Sequence, residues 1–184
     1  MHRFFADERG VVQGAAYLNA EDAGHALRVL RLESGDEVEL VCAPARYRAK
    51  IDSTEGGEVR LRVIEKLRDT EARTRVTLYQ GLPKADKMEL IVQKSTELGA
   101  AAIAPVAMIR SVVRLEGKDA AKKTERWQKI AREAVKQCAR VSAPEVRLPR
   151  KLSAMREELS ALDVLIVPWE DARDGSVADC LAPF

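Results

Sequence analysis

The sequence predicts an α/β protein, with a small β-barrel in residues 1–70 followed by a parallel-sheet α/β domain in residues 75–184. Two patterns support this prediction: short apolar runs between turn residues in the first part, and apolar runs alternating with helical spacings in the second. Residues 70–74 read as the linker. With 184 residues, 46% hydrophobic and 33% charged, the chain can bury a core and has a globular composition.

The barrel prediction depends on four strand candidates and one short helix. The helix, EDAGHALRVL, has acidic residues in its first turn, and its spacing directs Ala26, Val29 and Leu30 toward the core. His25 on this helix reads more simply as a partly buried packing residue than as a catalytic one. The strand candidates are VVQGAAYL, GDEVELV, YRAKI and EVRLRVIEKL.

The second part opens with a predicted strand, helix and strand in residues 75–114. Apolar alternation begins at Val76, the spacing from Met88 to Ser95 is that of a buried helix face, and Gly99 ends the helix. The apolar run 101–109 has the length of a buried strand. Two strands joined through a helix predict a parallel sheet.

The remaining elements continue this alternation. We expect a helix around Trp127, then PEVRLP, a helix at SAMREELSAL and a strand at VLIVP. On the first of these helices the spacing separates two faces. The buried face comprises Trp127, Ile130, Ala131, Ala134 and Cys138, and the outward face comprises Lys122, Arg126, Lys129, Lys136 and Arg140.

Basic charge is concentrated in one segment. The chain carries a formal net charge of +2, yet residues 110–151 contain thirteen Lys and Arg against five Asp and Glu, a local balance of +8, so the remainder carries −6. Such segregation is expected where a protein meets a phosphate backbone. A solubilising helix face would give the same pattern, and charge alone does not decide between the two.

Several classes of protein are disfavoured by composition. Cys42, Cys138 and Cys180 are odd in number and far apart, so neither a disulfide framework nor a metal site is predicted. No apolar run reaches the length of a membrane span. The start, MHRFFADERG, lacks the apolar stretch of a signal peptide, and we therefore expect a cytoplasmic protein.

Two long motifs carry a family resemblance. The first, P-K-x-x-K-x-E-x-x-x-Q-K-x-x-E-L-G with I-x-P and R-S-V-V, begins at Pro83, and the second, W-x-K-I-x-x-E-A-x-x-Q-x-x-R, begins at Trp127. Both resemble the RsmE-type methyltransferases of bacterial small-subunit ribosomal RNA, in the SPOUT superfamily. HRFF, HALRVLR and SGDEV are similar to that family's PUA-like barrel. A departure lies at Pro44, which must shape a corner where the family usually has Asp-Gly.

The resemblance implies a fold, a cofactor and a reaction. The fold is a PUA-like RNA-binding barrel followed by a SPOUT domain with a trefoil knot, and the full-length protein is expected to be a homodimer. The reaction is S-adenosylmethionine-dependent methylation of N3 of a uridine in 16S rRNA, within the assembled 30S subunit. The rival interpretation is a non-enzymatic RNA-binding α/β protein, which would bind RNA in a salt-dependent manner without transferring a methyl group.

The cofactor loops are only partly present in this sequence. In the family three knot loops form the pocket, and the loop after VLIVP corresponds to Pro168, Trp169 and Glu170. The Gly-Pro-Glu-Gly-Gly turn and the Leu-Gly-x-Arg-x-Leu-Arg-x-Glu-Thr segment do not occur before Phe184. We therefore expect a truncated SPOUT domain with an incomplete knot, and weak or absent cofactor binding by these 184 residues.

Site residues follow from the chemistry of the uridine base. Its N3 must lose a proton while charge develops on the base oxygens, so cations and hydrogen-bond donors are the expected groups. Arg110 ends the second strand at the carboxyl edge, where open α/β sheets bind ligands, and is our catalytic candidate; an ion pair with Glu97 or Glu133 is the alternative. The expected RNA-binding residues are Arg3, Arg28, Arg31, Lys84, Lys87, Arg114 and Arg126.

Overall fold

The structure, a computed structural model, contains two sheets, each with its own core. It describes residues 1–68, 71–84, 86–109, 111, 115–138, 140–168, 171 and 176–182. The strands are β1 His2–Phe5, β2 Ala15–Tyr17, β3 Glu37–Cys42, β4 Ala45–Ser53, β5 Arg60–Lys66, β6 Thr77–Gly81, β7 Ala102–Ala107, β8 Glu145–Val146 and β9 Arg150–Lys151. The α-helices are α1 Ala20–Arg28, α2 Lys87–Glu97, α3 Gly117–Cys138, α4 Arg156–Ser160 and α5 Val177–Leu181.

The first sheet closes into a small barrel, as predicted. Its strand order is β1-β3-β4-β5-β2, with β1 parallel to β3 and the other pairs antiparallel. The two edge strands meet beyond their ends, where the Asp7 amide donates to the Tyr17 carbonyl at 2.8 Å and the Asn19 amide donates to Phe5 at 3.2 Å. This contact joins the edges, and alternate residues such as Phe4, Leu40 and Leu61 fill the interior.

Helix α1 covers one end of the barrel, but it ends earlier than predicted. Asn19 caps it by accepting from the Asp22 amide at 2.9 Å. Ala26 is fully buried as expected, whereas Val29 is 65% exposed and His25 is exposed, so those two predictions were wrong. The reason is that His25 and Val29 are four residues apart and share one outward line of the helix, whereas Ala23 and Ala26 lie on the side that faces the barrel.

The β3–β4 hairpin turns at Pro44, as the sequence predicted. Cys42 pairs with Ala45 across a two-residue corner, and the Ala43–Pro44 peptide bond is cis. All six residues of β3 are paired with β4.

The second sheet is parallel throughout its described pairs. Strands β6, β8 and β9 each pair parallel with β7, which lies in the middle. Helix α2 ends as predicted at Gly99, which has φ +98°, and the Ala100 amide donates back to the Ser95 carbonyl at 2.9 Å. Helices α2 and α3 pack together over one face, where Ile103, Val92 and Trp127 belong to the same buried cluster.

Residues 164–168 were predicted as a strand, and that prediction was wrong. The segment pairs with no other described strand, and Leu165 and Val167 are 51% and 75% exposed. An apolar alternation marks a strand only when a neighbouring strand satisfies its backbone groups, and none of the described strands lies alongside it. Within the described ranges, no helix is long and apolar enough to cross a membrane.

Candidate nucleic-acid interface

The carboxyl edge of the parallel sheet presents two of the predicted cations. Lys84 and Lys87 follow β6 and are both exposed, Lys87 at the first position of α2. After β7 the chain turns, because the Ser111 amide donates to the Met108 carbonyl at 3.0 Å, and Ile109 at the tip is fully exposed. Arg110 and Arg114 lie outside the described residues, so their catalytic and RNA-binding roles stay predictions.

A cleft of about 620 Å³ separates helix α1 of the barrel from the last turns of α3. The cleft brings Arg3 and Arg28 close to Lys136, and the sequence analysis had not connected these three residues. Lys136 crosses the cleft mouth and donates to Glu21 at 3.0 Å. Burial lowers the pKa of Lys136, but its hydrogen bond to Glu21 and the nearby Glu133 carboxylate outweigh that effect, so its pKa lies above its usual range. We call this region the α1–α3 cleft.

The cations of the α1–α3 cleft differ in how available they are. Arg3 is only 15% exposed and forms an ion pair with Glu39, which also accepts from Arg46 at 3.2 Å. Arg28 is exposed, and among the described residues its side chain makes one hydrogen bond, a long one of 3.4 Å to the Gly24 carbonyl. Arg31, just past the helix, is exposed as well. Arg28 and Arg31 therefore suit contact with an anion better than Arg3 does.

Helix α3 carries the largest group of cations. Lys118, Lys122, Lys129 and Arg132 are all exposed, and none forms an ion pair within 4.0 Å with another described residue. At 100° per residue they lie within an arc of about 80°, on the side opposite buried Trp127. We call these four residues the α3 stripe.

Arg126 lies beside the α3 stripe but has a partner. Its guanidinium donates to Glu89 of α2 at 2.8 Å, although the arginine side chain is 58% exposed. This pair links the two helices and still leaves donors facing outward. The RNA-binding role predicted for Arg126 stays a prediction.

Arg140 was expected to point outward, and that expectation was wrong. Its side chain is only 11% exposed and binds Glu71 of the linker through Nε at 3.0 Å and Nη2 at 2.7 Å. Its Nη1 donates to the Thr96 and Ala100 carbonyls at 3.1 and 2.8 Å, beside the end of α2. The reason is that the guanidinium donates to carbonyls at and just beyond the end of α2, where the regular helical hydrogen bonds stop.

Glu71 completes this arrangement from the other side. Its Oε1 accepts from the Val141 amide at 2.8 Å and from the Ser142 amide at 3.3 Å. Burial raises the pKa of Glu71, but hydrogen bonds from Arg140 and those two amides hold it below its usual range. We call Glu71, Arg140 and these backbone partners the Glu71 junction. Glu71 lies in the polar linker, where no sequence pattern indicated that it would bind Arg140.

A second group of interacting side chains, which the sequence analysis missed, lies around Tyr79 of β6. The Tyr79 hydroxyl donates to Glu158 of α4 at 2.7 Å, and Arg147 and Arg150 both form ion pairs with the same carboxylate. Burial and the Glu158 carboxylate raise the pKa of Tyr79. The group holds α4 against the sheet, close in sequence to the predicted cofactor segment.

The predicted cofactor residues are only partly described. Pro168 is exposed, while Trp169 and Glu170 lie outside the described residues. No group of three or more His, Cys, Asp and Glu in the described part of the chain is arranged to hold a metal ion. The cofactor role of all three residues stays a prediction.

Comparison with known proteins decides the family. Residues 70–182, more than half of the chain, match the RNA methyltransferase domain family. The chain belongs to the RsmE-type RNA methyltransferases. The ribosomal RNA small subunit methyltransferase E of Bacillus subtilis is 36% identical over 158 residues, covering 84% of this chain. The predicted family is therefore confirmed. The chain spans 61% of the length of that relative.

Solved structures of this family share the fold. A ribosomal RNA small subunit methyltransferase E from Neisseria gonorrhoeae, bound to S-adenosyl methionine, has a TM-score of 0.65 and 31% identity over 88% of this chain and 66% of its own. A putative methyltransferase from Legionella pneumophila, in complex with bound SAM, has the same TM-score and identity over 85% and 65%. These matches confirm the predicted fold class of a barrel followed by a SPOUT-type parallel sheet.

Proposed function

We propose that this chain takes part in S-adenosylmethionine-dependent methylation of N3 of a uridine in 16S rRNA. The observation that carries the proposal is the family match over residues 70–182. The described fold supports it, because β6 and β7 run parallel and end at one edge, where α/β sheets bind ligands. Lys84 and Lys87 place positive charge at that edge.

The chemistry assigns roles to residues of this chain. The bound cofactor supplies an electrophilic methyl group, while the protein must orient the base and stabilise negative charge on it. Arg110 is our candidate for that stabilisation. Changing Arg110 to Ala should reduce methyl transfer and leave the melting temperature near that of the wild type. A large loss of stability instead would assign Arg110 to an ion pair with Glu97 or Glu133.

Cofactor binding is the second part of the proposal. Pro168, Trp169 and Glu170 supply one of the three loops that the family uses, and the SAM-bound relatives support the identity of the cofactor. We expect these 184 residues to bind S-adenosylmethionine weakly or not at all. Calorimetric titration tests this expectation, and micromolar affinity would contradict it.

The remaining parts of the proposal concern organisation and partners. We assign residues 1–70 to a barrel domain that contacts RNA and residues 75–184 to the methyltransferase domain. The substrate is 16S rRNA within the 30S subunit, which places the reaction in the cytoplasm. The protein acts as a homodimer in this proposal, and native mass spectrometry measures that state directly.

A genetic experiment tests the reaction itself. The gene that encodes this sequence is disrupted in its host, and 16S rRNA is digested to nucleosides for mass spectrometry. We expect one 3-methyluridine to disappear and to return when an intact copy is supplied. Unchanged 3-methyluridine in the disrupted strain would refute the methylation. If the protein nevertheless remained bound to small subunits, it would be the non-enzymatic RNA-binding protein of the rival interpretation.

A further inference from the structure

We propose that the α3 stripe is a phosphate-binding surface that guides the RNA substrate from the methyltransferase domain to the barrel. This inference rests on the proposed function, since it takes RNA as the partner. It goes further by assigning the phosphate contacts to one face of one helix. It also separates these cations from the other basic residues of the segment 110–151.

Ion pairing and position together select the stripe among the many cations of that segment. Lys123 and Lys151 also form no ion pair with a described residue, but Lys123 lies about 140° from Lys118 around α3 and Lys151 lies in β9. Arg126, Lys136 and Arg140 bind Glu89, Glu21 and Glu71, respectively. Arg147 and Arg150 share Glu158. The carboxylate partner already neutralises part of the charge of each of these cations, so such a cation attracts a phosphate less strongly than an unpaired one does. The members of the α3 stripe have no such partner among the described residues, so their charge is available to a ligand.

The geometry of the stripe fits an extended polyanion. Lys118 and Arg132 are fourteen residues apart on one continuous helix, and at 1.5 Å per residue they span about 21 Å. That length exceeds what a small anion could bridge, whereas a nucleic-acid strand presents a phosphate at every nucleotide. Glu125 lies within this arc and Glu133 about 20° outside it, where it pairs with Lys136, so the four cations of the stripe leave the face with a positive balance.

The stripe leads directly into the α1–α3 cleft. Lys136 follows Arg132 by one helical turn and lines the cleft together with Arg28 of the barrel. RNA lying along α3 would therefore meet the barrel at Arg28, the exposed cation on the barrel side of a cleft whose lining also includes Glu21, Asp22 and Glu133. The Glu71 junction keeps the α3 stripe and the α1–α3 cleft together, because Glu71 of the linker binds Arg140 next to this end of α3.

Salt dependence gives the proposal a quantitative test. The full 184-residue chain is titrated with fluorescein-labelled oligouridylate, without cofactor, over a series of KCl concentrations. In the test variant, Lys118, Lys122, Lys129 and Arg132 are changed to Gln. Each lost phosphate contact should reduce the log–log salt slope by about 0.7, so we expect a slope shallower by about 3 and binding weaker by at least about tenfold at physiological salt.

Two controls separate the stripe from net charge. The first variant changes Arg9, Arg48, Arg60 and Lys94 to Gln, which removes the same formal charge from cations that already have carboxylate partners. We expect its slope to change by less than about 1. The second control, Glu125→Gln, removes the anion on the stripe and should tighten binding. Circular dichroism and thermal melting check that each variant is folded.

Each outcome decides between defined alternatives. An unchanged slope in the stripe variant, or an equal change in the paired-cation variant, would overturn the proposal. Binding to polyglutamate as tight as to oligouridylate would overturn it too, and would favour an acidic protein partner. If 3-methyluridine is lost in the disrupted strain while the stripe variant binds RNA normally, only the stripe proposal fails. If the stripe variant loses RNA binding while 3-methyluridine persists in the disrupted strain, only the methylation proposal fails.

Discussion

Arg140 and the cations of the α3 stripe lie in one basic segment but behave in opposite ways. Arg140, just beyond the end of α3, is 11% exposed and makes four hydrogen bonds, two to Glu71 and two to backbone carbonyls. The α3 stripe, only two to six turns earlier, is exposed and unpaired within the described residues. Each of these five cations contributes one unit to the positive charge of the segment. The charge of a segment therefore does not indicate which of its cations stabilise the fold and which are free to bind.

The physical reason lies in what surrounds each charge. An exposed cation keeps its water and its counterions, so it adds little to stability but can release counterions when it meets a phosphate. A guanidinium in a nearly buried junction has lost its water and depends on fixed partners. Folding free energy and RNA affinity should therefore respond to different residues of the same segment. The following four predictions test that separation.

The largest effect is expected for Arg140→Met. The change leaves the Glu71 carboxylate nearly buried without its cation and leaves the Thr96 and Ala100 carbonyls with one donor fewer. We expect the free energy of unfolding to fall by about 3–5 kcal/mol, as measured by urea denaturation. Arg132→Met, the same substitution on the exposed stripe, is the matched control and should change it by less than about 0.5 kcal/mol. Equal losses for the two variants would contradict the comparison.

A smaller effect with a defined pH dependence is expected for Glu71→Gln. The pKa of Glu71 is lowered in the folded protein, so its stabilising contribution is complete above the unfolded pKa of about 4.3 and is lost as pH falls through the folded value. We expect the wild type to exceed the variant by about 1.5–3 kcal/mol at neutral pH. Urea denaturation at decreasing pH should show the two curves converging below about pH 4. A constant difference down to acid pH would show that another group controls the effect.

The Arg126–Glu89 pair lies between the two extremes. The Arg126 side chain is 58% exposed and the Glu89 side chain 20%, so water screens much of their attraction. A double-mutant cycle with Arg126→Gln and Glu89→Gln should give a coupling energy of about 0.2–1 kcal/mol. The salt slope for RNA should change by less than one phosphate contact, because the arginine is already engaged. Coupling above about 2 kcal/mol would place this pair with the Glu71 junction instead.

The same contrast shows what could be predicted from the sequence. The helix period placed Trp127 and Ala131 in the core correctly, because burial of one helix face is a local pattern. The helix period alone could not distinguish Arg140 from Lys129, because both lie off the apolar face. What distinguishes them is Glu71 of the linker, which binds Arg140. Glu71 lies 69 positions from Arg140 in sequence, and such a contact has no local signal. The strand predicted at residues 164–168 failed similarly, because its pairing depends on a neighbour rather than on alternation.

The motifs predicted what the periodicity could not. P-K-x-x-K-x-E and W-x-K-I-x-x-E-A-x-x-Q-x-x-R indicated the family, and the match over residues 70–182 confirmed it. They did not say which motif residues serve structure: Arg140 ends the second motif and is held in the Glu71 junction, whereas Lys129 in the same motif is exposed. A motif therefore combines residues that hold the fold with residues that remain available, and only the contacts separate them.

The smallest stability effect, and the sharpest test of the separation, is expected for Lys129→Gln. Lys129 has no ion-pair partner among the described residues and its side chain is exposed, so urea denaturation should place the variant within about 0.5 kcal/mol of the wild type. Binding to oligouridylate should nevertheless weaken, with the salt slope reduced by about 0.7, the value for one phosphate contact with a single strand. Lys129→Arg keeps the charge and should restore the slope, which distinguishes lost charge from altered shape. A variant that lost stability but kept its salt slope would show that Lys129 supports the fold, as Arg140 does, and would remove it from the α3 stripe.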